Sequence, residues 1–146
     1  MGTIRRLMMD FIIPGEPQAK QRPRINRRTM SMYTPSETKA YENKISVICK
    51  YAMLARKAEP AEGPIRVLVA VYKRIPKSAS LKQQELMASG SIRPMTRPDL
   101  DNVVKIVLDG MNKVAYKDDR QVVAIQAMAH YSQEPRVEVT VEEVSC

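Results

Sequence analysis

The sequence predicts a single small α+β domain. Two long stretches carry apolar residues at helical spacing, several shorter ones alternate at strand spacing, and 146 residues suit one domain able to bury a core. The expected unit spans residues 1–146 and has two main helices packed with the strands.

Residues 7–13, within "LMMDFIIP", read as a buried strand, and "PGEP" ends it because its prolines and glycine interrupt a ladder. The apolar run is short and broken by Asp10, so it reads as neither a signal peptide nor a membrane span. "MGTIRR" lacks the hydroxyl residue that a myristoylation signal places at position 6. Cys49 and Cys146 are far apart and lack the neighbours zinc needs. A reduced cytoplasmic protein is the expectation.

From Pro17 to Ser36 there is no acidic residue, and Lys20, Arg22, Arg24, Arg27 and Arg28 crowd into "KQRPRINRR". "RTMSMYT" has the residue types of a short extended piece, so the basic segment is expected to belong to a ribbon. Thr34 as N-cap, Pro35 at the first helical position and Glu37 closing a capping box predict a helix start. Tyr41, Ile45, Ile48, Ala52 and Ala55 then form one apolar face, and the helix is expected to reach about residue 57.

"EPAEGP" is a turn cluster, and Ile65, Val67, Val69 and Val71 alternate in the strand that follows. "PKSASLKQQELMASGSIRPMTRP" is a polar excursion holding a short helix, capped by Ser80 with Gln83 and stopped at Gly90. Arg97, at its basic end, joins the basic segment as a candidate DNA contact. Residues 99–112 form the second long helix, with Leu100, Val104, Leu108 and Met111 inward and Asp101, Lys105 and Asp109 as its polar stripe. Two strands, 121–131 and 136–144, complete the chain across the turn "SQEP".

The formal net charge of +8 favours a polyanionic partner. Against that background "RPDLDNVVK" places Asp99 and Asp101 at the start of a helix. Two explanations stand. Asp99 caps the helix while Asp101 favours its dipole and pairs with Lys105. Alternatively, both hold a divalent cation. "KDD" at 117–119 adds a second acidic pair after the helix, and the intervening residues are numerous enough to run back toward Asp99 if extended. Mg²⁺ binds one or two carboxylates plus water and phosphate oxygens, so converging aspartates would suffice. An acidic island on a basic protein is the charge layout of a metal-dependent nuclease, with Lys105, one turn from Asp101, placed to stabilise charge on the phosphoryl group. His130 is the sole histidine and reads as a strand-surface residue. Most of the tyrosines are read as core and none is assigned to DNA, and the ten scattered methionines are read as fillers of core gaps.

"FIIPGEPQAKQRPR", "YTPSETKAYE", "RPDLDNVVKIVLDGMN" and "YKDDRQVV" occur in the order and spacing of one family. Over nearly its whole length the sequence resembles the RusA Holliday junction resolvases, endodeoxyribonucleases common in prophages and bacteriophages. The resemblance implies a mixed β-sheet, a homodimer, and Mg²⁺-dependent resolution of four-way DNA junctions by paired symmetric nicks in recombination and repair. It places the catalytic acids on Asp99, Asp101 and Asp119 and the catalytic lysine on Lys105, with Asp118 beside them as a further metal ligand; Mn²⁺ accepts the same ligand types. A two-fold dimer suits a junction of near two-fold symmetry. Lys20, Arg22, Arg24, Arg27, Arg28 and Arg97 are the expected DNA contacts, and neither a membrane nor a small-molecule cofactor is expected. The competing readings are a non-catalytic basic DNA-binding module, with the acids as caps and ion pairs, and a metal-dependent phosphatase for small substrates, which leaves the basic segment unexplained.

Overall fold

The computed structural model describes residues 3–33 and 35–145. Four strands form a mixed sheet in the order β1 (Ile4–Pro14), β6 (Arg136–Ser145), β4 (Ile65–Arg74), β5 (Val122–Ser132). β6 runs antiparallel to both β1 and β4, whereas β5 runs parallel to β4. β2 (Arg24–Asn26) and β3 (Ser31–Tyr33) pair as a separate antiparallel ribbon, with Ile25 opposite Met32, and all six of its residues are exposed.

Period-two patterning selects the buried face of the sheet. Met9, Phe11 and Ile13 in β1, Ile65, Val67, Val69 and Val71 in β4, and Val137, Val139 and Val141 in β6 all point into the core. Each such side chain contributes roughly 1.5–3 kcal/mol through burial. Two long helices cover them: α1 (Ser36–Arg56) packs on β1 and on α3 (Leu100–Met111), and α3 spans β4 and β5.

Several expectations shift by a fraction of a turn. The capping box expected for α1 relies on Thr34, which lies outside the described residues. Pro35 takes the N-cap position with ψ 142°, and the helix begins at Ser36. The inward residues of α1 are Thr38, Tyr41, Ile45, Cys49 and Met53, while Ile48 and Ala52 are only partly buried and Ala55 is exposed. In α3, Val104 and Met111 are buried as expected, but Val103, Ile106, Val107 and Gly110 take the place of Leu100 and Leu108. The cause is common to both helices, because each packs on a sheet and on the other helix, so the buried arc exceeds one stripe. At the helix crossing, a Cβ on Gly110 would lie 2.6 Å from Ile45 Cγ2, so only glycine allows the approach.

The short helix α2 (Leu81–Ala88) carries the expected capping box, Ser80 Oγ accepting from Gln83 N–H while the Gln83 side chain accepts from Ser80 N–H. Gly90 follows it in the left-handed region at φ 88°. Cys49 is a free thiol whose pKa burial pushes up to about 12, and Cys146 lies outside the described residues. Among the described residues no helix is long and apolar enough to cross a membrane.

Candidate active site

The position of the acids follows from the β4–α3–β5 crossover. Because β4 and β5 are parallel, the helix between them must return from the C-terminal end of β4 to the N-terminal end of β5. At the start of α3, Lys73 near the end of β4 donates to the carbonyls of Thr96 and Pro98. At the other end, Ala61 N–H donates to Ala115, and the Gln121 amide donates to the carbonyls of Ala61 and Gly63, just before β4 begins. α3 has 12 residues and is therefore about 18 Å long.

Asp99 and Asp101 stand together at the first of these ends. Asp99 occupies the N-cap position, and its backbone carbonyl accepts from Asn102 and Val103, but its side chain makes no capping bond. Asp101 is exposed in the first turn, and the expected ion pair with Lys105, itself exposed, does not form. The helix-start explanation of both carboxylates thus loses its bonds. Asp99 also borders a cleft of about 1230 Å³ whose wall carries Arg22, Lys44 and Arg97.

Asp118 and Asp119 lie at the opposite end of α3. The residues after α3 do not run back toward Asp99: Asn112 and Tyr116 bridge in a tight turn, and the Tyr116 hydroxyl donates to Leu108 O at 2.7 Å. Asp118 caps a 3-10 turn, Asp119–Gln121, by accepting from Arg120 N–H at 2.9 Å, and its pKa is lowered by that bond and by the Arg120 guanidinium. Asp119 is pushed the other way, its pKa raised first by burial and then by the charges of Asp109 and Asp118. Among the described residues no three carboxylate, histidine or cysteine side chains gather into a metal-sized group. One chain therefore brings Asp99 to Asp101 and Asp119 to Asp109, but does not join the two pairs.

The basic segment divides as well. Arg22, Arg24, Arg27 and Arg28 are exposed and form no ion pairs among the described residues, and the ribbon tip is ordered by Asn26 Oδ1 accepting from Arg28 and Thr29 N–H. Lys20, expected among the DNA contacts, is paired within the chain. Its ammonium is held between Glu42 and Asp109, the latter at 3.1 Å, while its backbone N–H donates to Asn102 O. Burial lowers the Lys20 pKa, but the two carboxylates outweigh that and raise it. It pins the basic segment to α1 and α3.

Two lysines escaped the sequence reading. Lys44 reaches the cleft while donating to Pro14 O at 2.7 Å. Lys73 was detectable, since it continues the inward alternation of Ile65, Val67, Val69 and Val71. His130 lies in β5, stacked on Tyr72 with ring centroids 5.3 Å apart, and burial lowers its pKa. Gln121 is fully engaged by backbone groups around the turn.

The family model described as endodeoxyribonuclease RusA matches residues 14–142. The chain belongs to the RusA endodeoxyribonuclease family. A curated relative, the uncharacterized protein YqaN of Bacillus subtilis (strain 168), is 40% identical over 139 residues, covering 92% of this chain and 96% of YqaN. The match to the RusA model spans both ends of α3 and the ribbon, so both acid pairs fall within it.

Proposed function

We propose that the chain is a Mg²⁺-dependent endodeoxyribonuclease that resolves four-way DNA junctions by paired symmetric nicks and works as a homodimer. One observation carries the reading: in a chain of this family, Asp99 and Asp101 make no ion pair among the described residues at the start of α3, and Asp99 borders a cleft walled by Arg22, Lys44 and Arg97.

The donor set fits a hard cation, because Mg²⁺ takes one or two carboxylates and completes its shell with water and phosphate oxygens. Asp99 and Asp101 would hold it, with Asp119, and Mn²⁺ would be accepted by the same oxygens. When bound, the ion supplies Lewis acidity toward the phosphodiester and a more acidic water. Lys105, one turn beyond Asp101, stabilises charge that develops on the phosphoryl oxygens. Arg22, Arg24, Arg27, Arg28 and Arg97 neutralise the DNA backbone. Asp118, engaged by Arg120, is left out of the ligand set.

The dimer resolves the separation of the acids. A second copy related by a two-fold axis perpendicular to α3 presents its Asp119 end to the Asp99 and Asp101 end of the first. Each centre then draws on both chains, and two centres face the two strands to be cut.

The test is a gel assay on a synthetic four-way junction and on a matching linear duplex, each with Mg²⁺ or EDTA. Symmetric nicks in the junction alone, and only with metal, are expected. Asp101→Asn should abolish cutting while binding the junction at least as tightly, since a negative charge facing phosphate is lost. Binding without cutting in either Mg²⁺ or Mn²⁺ would leave the DNA-binding module as the better reading.

A further inference from the structure

Lys73 is the exception on the inward face of β4. It follows Ile65, Val67, Val69 and Val71 on that face and is only 8% exposed, yet it carries an ammonium. Its Nζ donates to Thr96 O and to Pro98 O, the latter at 2.8 Å. Among the described residues no other hydrogen bond reaches residues 94–98. The nearest further ties are Arg93 Nε to Ala129 O at 2.8 Å on one side and the first helical bonds to Asp99 O on the other. The segment itself lies at the surface, with Thr96, Arg97 and Asp99 exposed.

A long surface segment without a core of its own should drift over several arrangements. A rod rising from an inner strand of the sheet, with two of its three N–H donors on carbonyls two residues apart, removes that freedom. An apolar side chain would fill the same space but leave both carbonyls to water. We propose that Lys73 is a positioning residue for the nuclease centre, a strut that fixes segment 96–99 and thereby the placement of the Asp99 and Asp101 carboxylates. This rests on the nuclease reading above. The DNA and the metal need not touch Lys73 for it to matter, because a displacement of roughly 1 Å at a reacting centre can lower a rate by about 100-fold.

Lys73→Met keeps the buried stem and removes the donors, and Lys73→Arg restores donors and charge. Two readouts are compared: amide hydrogen exchange of the metal-free protein, and kcat and KM on a four-way junction with Mg²⁺. In Lys73→Met, exchange at Asn102 and Val103, whose N–H groups bond Asp99 O, should quicken at least about tenfold while β4 and β6 exchange as in the parent. kcat should fall at least about tenfold with KM within about twofold, and Lys73→Arg should recover most of both effects. Unchanged exchange at Asn102 and Val103 would overturn the proposal, and so would faster exchange spread equally over the whole sheet. Should Lys73→Met fail to fold, Lys73→Gln, with a shorter donor, is judged on the same readouts. If the parent cuts no junction, the nuclease reading fails, and the exchange measurement still decides whether Lys73 fixes the segment.

Discussion

Mixing two inactive variants should restore cutting. Asp101→Asn and Asp119→Asn each remove one carboxylate, and in a single chain those carboxylates belong to opposite ends of a helix about 18 Å long. Oxygen ligands of one Mg²⁺ lie about 2.1 Å from it, so two carboxylates sharing an ion stand within roughly 4 Å of each other. No single chain bridges that gap. In a two-fold dimer with composite centres, a mixed dimer has one centre carrying both substitutions and one carrying neither. Random exchange of subunits makes about half of the dimers mixed, so about one quarter of the parental centres return. The assay follows nicking of each labelled junction strand after the two variants are co-expressed. Single nicks at about one quarter of the parental rate are expected, rather than paired resolution. A mixture of Asp99→Asn with Asp101→Asn, altered at the same end of α3, should remain inactive. Cutting by the first mixture no greater than that of its separate components would refute the composite centre.

Four further outcomes follow from the packing and the charges. Gly110→Ala should destabilise the fold by about 1–3 kcal/mol, because the new methyl would overlap Ile45 Cγ2 at 2.6 Å and press on Glu42 O at 3.1 Å; an unchanged urea midpoint would contradict this. Arg27→Ala or Arg28→Ala should reduce the steepness of log K against log salt for DNA binding by about 0.9, whereas Lys20→Met should leave that slope unaltered and lower stability by about 1 kcal/mol. Its raised pKa means that the Lys20 contribution is present below the ordinary lysine pKa of 10.5 and disappears as pH rises through the higher folded value. Asp119 also loses stability as pH climbs, since its folded pKa is raised above the ordinary 3.8, but here the charged form that prevails at neutral pH is the disfavoured one. Asp119→Asn should therefore melt above the parent at neutral pH and together with it in acid below that value.

Much of this was legible in the chain. Strict alternation in "IRVLVAVY" and "RVEVTVEEV" specified strands, because burying one face of a sheet requires period two. Ser80 and Gln83 marked the start of α2 through a local capping bond that needs no tertiary partner. Asp99, Asp101 and the basic segment stood out by residue type and charge alone. The parallel pairing of β4 with β5 was decided only by the tertiary structure, as parallel neighbours are distant in sequence and leave no short-range mark. That pairing turns α3 into a crossover and places Asp119 at the far end from Asp99, where the sequence permitted them to meet. Tertiary contact also paired Lys20 with Glu42 and Asp109, carboxylates 22 and 89 residues away, partners that its place in the basic segment did not reveal. It likewise put Lys73 under the start of α3. The sequence determined which residues were available for chemistry, and the long-range pairings determined which of them can act on one another.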